Sequence, residues 1–121
     1  MRKRISLFSI TTLCLLLLSS CGIPVPAEKM NYVGEWRAPG MYLLIMADGS
    51  VKYKRIKKGF TKSIEAPLQG FDRDDFIVGL GSFKTTFRVD KPPYQDNGRW
   101  KMVVDGVTLV RVNSLRNQTS I

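Results

Sequence analysis

The sequence predicts an all-β domain: a small antiparallel meander of seven or eight strands, a closed barrel or a sandwich, after a helical signal peptide. Three observations carry that expectation. From Tyr32 onward the apolar residues recur with a period of two rather than 3.6. Two Asp-Gly pairs, Asp48-Gly49 and Asp105-Gly106, each lie between apolar runs, where type I′ hairpin turns need positive φ at both central positions. No amphipathic helical window follows the first twenty residues.

The chain begins Met1-Arg2-Lys3-Arg4 and then runs from Ile5 to Leu18 without a charged residue. That apolar run is shorter than the about 20 residues needed to cross a bilayer core. A basic start, a short apolar stretch and small residues before a cut point describe a secretory signal peptide over residues 1–20. The closing residues Leu18-Ser19-Ser20-Cys21 form a lipobox, so this segment resembles the signal of bacterial lipoproteins. The resemblance implies a covalent diacylglycerol on the Cys21 thiol, cleavage just before it, and an acyl chain on the new amino terminus. It also implies a chain anchored in the cell envelope. Gly22 after the Cys resembles the outer-membrane sorting pattern, which implies the periplasmic face of that membrane.

Residues 21–31 read as the lipidated N-terminus and a tether. Ile23-Pro24-Val25-Pro26 favours an extended backbone, and ten extended residues reach at most about 35 Å. Residues 32–112 form a single β-domain. Its expected strands include Met41–Met46, Val51–Lys54, Asp75–Leu80, Thr85–Val89, Trp100–Val104 and Val107–Val112, with a further strand near Ser63–Ala66. Alternation points Leu43, Ile45, Val51, Tyr53, Phe87, Val89, Trp100, Met102, Val107 and Leu109 inward. Lys91–Gly98 holds two prolines and Asp-Asn-Gly, so it reads as a loop. Residues 113–121 are a polar C-terminal tail.

Charge and composition bound the chemistry. The full chain carries +9, and loss of Arg2, Lys3 and Arg4 with the signal leaves +6. Cys14 is lost with the signal and Cys21 is consumed by lipid, so the mature domain has no thiol and no disulfide. There is no His, hence no imidazole general base and none of the commonest metal ligand. Neither a Gly-X-Ser-X-Gly elbow nor a phosphate-cradling Gly-rich loop occurs. No catalytic residue, metal site or cofactor is expected, and the chain does not read as an enzyme. The dense acidic run Asp72-Arg73-Asp74-Asp75 lacks calcium-loop spacing and reads as a solvated turn.

One surface stands out. Lys52, Lys54, Arg55, Lys57, Lys58 and Lys62 fall within eleven residues, interleaved with Tyr53, Ile56 and Phe60. Lys52 and Lys54 share a strand face opposite Val51 and Tyr53, and the alternation is expected to break at Arg55 or Ile56. Such a patch fits an anionic surface, either lipid head groups or the phosphates of lipopolysaccharide. As a solvated face it protects an edge strand. Export and the absence of a binding-motif framework argue against nucleic acid.

A second feature is Gly34-Glu35-Trp36, which resembles the Gly-X-Trp signature of the lipocalin and calycin families. The resemblance implies a reduced up-and-down barrel in which Trp36 closes the base and Arg111 packs across its ring. The functional expectation is therefore a membrane-anchored envelope lipoprotein whose β-domain is an interaction module, with an envelope protein or anionic lipid as partner. The alternatives are a small-ligand or lipid carrier, and an inhibitor-type protective lipoprotein, against which the positive charge argues.

Overall fold

The computed structural model describes residues 22–112; the signal peptide, Cys21 and the tail 113–121 lie outside the described residues. The domain is all-β. A 3₁₀ helix, Ala27–Tyr32, precedes nine strands. They are β1 (Gly34–Ala38), β2 (Met41–Ile45), β3 (Ser50–Lys57), β4 (Phe60–Asp72), β5 (Asp75–Leu80), β6 (Phe83–Phe87), β7 (Val89–Asp96), β8 (Arg99–Val104) and β9 (Val107–Val112). All pair antiparallel in one curled sheet that forms a half-barrel, in the order β6-β5-β4-β3-β2-β1-β9-β8-β7.

The strand directions show how the sheet curls. Following the antiparallel pairings from β1 in both directions gives β6 and β7 the same sense. They occupy opposite borders, yet only Arg88 separates them in sequence. One long strand therefore serves β5 with its first half and β8 with its second. Three bonds pin the crossing point: the Arg88 and Asp105 amides, and the Val89 amide to Asp75.

The period-two reading predicted the core well. Leu43, Ile45, Val51, Tyr53, Phe87, Val89, Met102 and Leu109 are buried, and Trp100 and Val107 pack against them. Trp36, Phe76, Val78, Leu68 and Val104 complete the interior, all essentially inaccessible. Phe76 and Phe87 stack at 4.9 Å, and Tyr53 meets Phe87 edge-on at 4.9 Å. Aromatic pairs in these geometries add about 1 kcal/mol beyond the area they bury.

Several expectations need correction. The stretch read as an extended tether is packed against the barrel. Val25 is buried, the Ile23 amide donates to the Leu68 carbonyl at 3.4 Å and the Val25 amide to that of Ala47 at 3.0 Å. The chain then turns into the 3₁₀ helix, which buries Tyr32. Gly49 permits this approach, because a Cβ there would run into the Ile23 carbonyl. The sequence showed Pro24 and Pro26 stiffening the backbone, but it did not show the surface that the stiff segment covers.

The proline-containing stretch Lys91–Gly98 is largely strand, as part of β7. A border strand tolerates Pro92 and Pro93 because it has a ladder on one side only, and the register shift between Lys91 and Tyr94 leaves both prolines out of the pairing with β8. The short strand expected at Ser63–Ala66 is the centre of the thirteen-residue β4. At Asp105-Gly106 both residues have positive φ, as a type I′ turn requires. At Asp48-Gly49 only Gly49 does. The Gly49 amide bonds the Met46 carbonyl, the Met46 amide bonds Ser50, and the Asp48 carboxylate accepts the Ser50 amide at 2.9 Å. That is a three-residue loop with a glycine bulge, the longer solution for the same dipeptide.

Candidate functional site

The basic residues gather on one hairpin. β3 and β4 pair without a break from Ser50↔Pro67 to Lys57↔Phe60, closed by Lys58-Gly59, and no bulge interrupts the expected site at Arg55–Ile56. The pattern persists because Arg55 continues the inward row of Val51 and Tyr53, lying partly buried with its Nη1 3.2 Å from Met41 Sδ. Lys52, Lys54 and Ile56 form the outward row. On β4 the same alternation puts Phe60, Lys62 and Ile64 on the inward side and Thr61, Ser63 and Glu65 outward.

The hairpin projects. The β2 ladder ends at Met41↔Arg55 and the Ile56 amide still donates to the Gly40 carbonyl at 2.8 Å, so the pair Lys57↔Phe60 and the Lys58-Gly59 turn stand beyond the neighbouring hairpin. On the other side β5 begins pairing at Leu68, leaving the outer half of β4 without a neighbour there. Ile56 is 57% exposed and Phe60 66% exposed at this tip.

The six cations divide by environment. Arg55 is held by Met41. Lys52 lies 3.8 Å from Glu65 in an exposed pair, a contact worth little in water. Lys54, Lys57, Lys58 and Lys62 form no ion pair among the described residues. Between Ser50 and Ala66, Glu65 is the single carboxylate against six cations in the sequence.

The expected pair Trp36 and Arg111 lies at the β1–β9 seam as directly opposed residues. Trp36 is fully buried and its Nε1 donates to the Tyr32 carbonyl at 2.9 Å. The Arg111 guanidinium carbon lies 5.7 Å from the Trp36 ring and 4.9 Å from that of Trp100, and burial lowers its pKa. Sequence reasoning missed Trp100, whose approach depends on the β8–β9 register. Gly34 belongs to the same assembly. Its φ is +147°, and a Cβ there would sit 2.7 Å from Arg111 Cδ, so the Arg stem runs over the space that the glycine leaves.

An apolar groove of about 480 Å³ opens in the notch between the overhanging half of β4 and the tip of β5–β6, lined by Ile64, Ala66, Val78, Leu80, Phe83 and Lys84 among others. Phe83 at its rim is 86% exposed. Sequence periodicity missed this feature because the notch depends on where β4 stops pairing with β5.

The acidic turn Asp72–Asp75 is built differently. Asp75 accepts the Val89 amide at 2.7 Å, and the backbone carbonyl of Asp74 accepts the Tyr32 hydroxyl at 2.8 Å. Nearby Asp90 and Asp105 accept the Gly106 and Arg88 amides. Burial, with Asp74 and Asp75 close by, pushes the Tyr32 phenol up to about 12. Among the described residues no group of three or more His, Cys, Asp or Glu side chains is arranged to hold a metal ion, and no helix is long and apolar enough to cross a membrane. No family model, curated protein or solved structure matches this chain.

Proposed function

We infer that the chain is a membrane-anchored bacterial lipoprotein of the cell envelope, lipidated at Cys21, whose β-domain is an interaction module working through its exterior. The observation that carries the second half is the filled interior. Trp36, Leu43, Phe76, Phe87, Met102 and Leu109 are each at most 1% exposed and occupy the space that a carrier would leave for its ligand. The surface, by contrast, keeps a cationic hairpin with four lysines in no ion pair among the described residues, and exposed aromatic side chains. The lipobox supports the anchor, and Gly22 supports the periplasmic face of the outer membrane.

Native mass spectrometry of the protein extracted gently from its own envelope tests this reading. The expected result is an intact mass carrying diacylglycerol and acyl groups at Cys21, with no small-molecule adduct. An adduct that disappears on unfolding would replace the module by a carrier. An unmodified Cys21 would remove the anchor.

A further inference from the structure

The hairpin's apolar tip and its position relative to the N-terminus point to a particular partner. Large apolar residues at the extremity of a soluble domain mark an interaction site, and here Ile56 and Phe60 stand at the far end of β3–β4 with lysines on either side. Five of the six cations are Lys and one is Arg. Protein interfaces deplete Lys and enrich Arg at their centres, whereas Lys and Phe together suit a bilayer surface, where the ammonium meets phosphate and the ring enters the acyl boundary. Lys57↔Phe60 closes the tip backbone, and the free edge of β4 keeps its amides at the level of the hydrated head groups, while the ring alone enters the acyl boundary.

The N-terminus bears on the same hairpin. Gly22 packs against Pro67 of β4, so closely that a Cβ on it would lie 2.5 Å from the Pro67 Cβ. Pro67 pairs with Ser50 at one end of the hairpin and Lys57 pairs with Phe60 at the other. Seven residue steps of strand separate the two ends, about 23 Å. Cys21, the residue proposed to carry the lipid, is the residue before Gly22 in the chain. A lipid at one end of the hairpin and a cationic, aromatic tip at the other mark two points along a single element.

We propose that the β3–β4 hairpin is a second membrane attachment, in which the face carrying Lys57, Phe60 and Lys62 turns to an anionic bilayer, so that Phe60 enters the interface and these lysines, with Lys58 of the turn, meet the lipid phosphates. The proposal rests on the surface-module reading and names its partner. With the anchor it fixes the domain side-on to the bilayer that holds Cys21.

The test places an indole at the tip by Phe60→Trp in the lipidated protein, reconstituted into vesicles of phosphatidylcholine alone or with about one-third phosphatidylglycerol. In anionic vesicles the new emission is expected to shift to the blue and to be quenched by brominated acyl chains. In neutral vesicles, or in anionic vesicles at high salt, it stays as in water. Lys57→Gln, Lys58→Gln and Lys62→Gln together should abolish the shift and weaken co-sedimentation of detergent-free protein with anionic vesicles at least tenfold. An indole that reads as water-exposed in both vesicle types overturns the proposal, as does binding indifferent to the three lysines. Failure of the anchor is distinguishable, since intact mass reads the lipid on Cys21 while sedimentation of unlipidated chain with added vesicles still reads the hairpin.

Discussion

β4 joins two surfaces of opposite character. At its Asp72 end the acidic side chains and the backbone around them are engaged in the fold: Asp75 holds the Val89 amide, and the Asp74 carbonyl takes the Tyr32 hydroxyl. At its Phe60 end Lys54, Lys57, Lys58 and Lys62 form no ion pair among the described residues, and Ile56 and Phe60 are exposed. Charge count alone does not separate the two. What separates them is whether a side chain satisfies a backbone group that folding would otherwise leave unpaired. The acidic end is taken up by the fold, and the lysines of the cationic end are not.

Substitutions sharpen that contrast. Trp36→Ala sets the scale, because it empties the centre of the barrel and strands the Arg111 guanidinium; a loss of about 3–5 kcal/mol is expected in chemical denaturation. Asp75→Ala should cost about 2 kcal/mol, since the buried Val89 amide loses a charge-assisted partner. Equality of Asp75→Ala with a surface mutation would break the comparison at its acidic end.

Tyr32→Phe removes one hydrogen bond and should cost about 1 kcal/mol. It also has a pH signature. The folded phenol, at about 12 against an ordinary 10, holds its proton more tightly than the unfolded one. Stability is thus intact below about pH 10 and falls as pH rises from there toward 12. Absorbance near 295 nm should show one late-titrating tyrosine that Tyr32→Phe deletes. The smallest effect belongs to the other end: Lys57→Gln with Lys58→Gln should leave the unfolding midpoint within about 0.5 kcal/mol of the parent. A larger loss would mean that those lysines serve the fold.

Much of this architecture was legible from period-two alternation, because burial on one face of each strand writes itself directly into residue choice. Leu43, Tyr53, Met102 and Leu109 are where alternation put them. What was not legible depends on neighbours distant in sequence. The packing of Ile23 and Val25 needs the Leu68 and Ala47 carbonyls, which local composition does not encode. Pro92 and Pro93 announce a loop unless the strand is known to be a border. β4 was legible only near Ser63–Ala66, since its burial pattern lacks a clean alternation and a register shift between Leu68 and Gly70 interrupts its pairing with β5. The basic hairpin was legible as a charge run. Its projection, its apolar tip and its relation to Gly22 were not, because they follow from strand lengths and from a chain terminus docked on a remote strand.

The seam between β1 and β9 has a consequence for how the molecule is made. β1 is the first strand of the domain and β9 the last, and each completes the other's ladder. Until β9 has docked, Trp36 has neither its opposing cation nor a covered edge on that side. The earlier hairpins form from near neighbours, while this closure joins the extremes of the domain and is therefore the slow, late event. A chain released short of β9 keeps an open strand edge beside an unprotected indole, in the form that chaperones and proteases recognise.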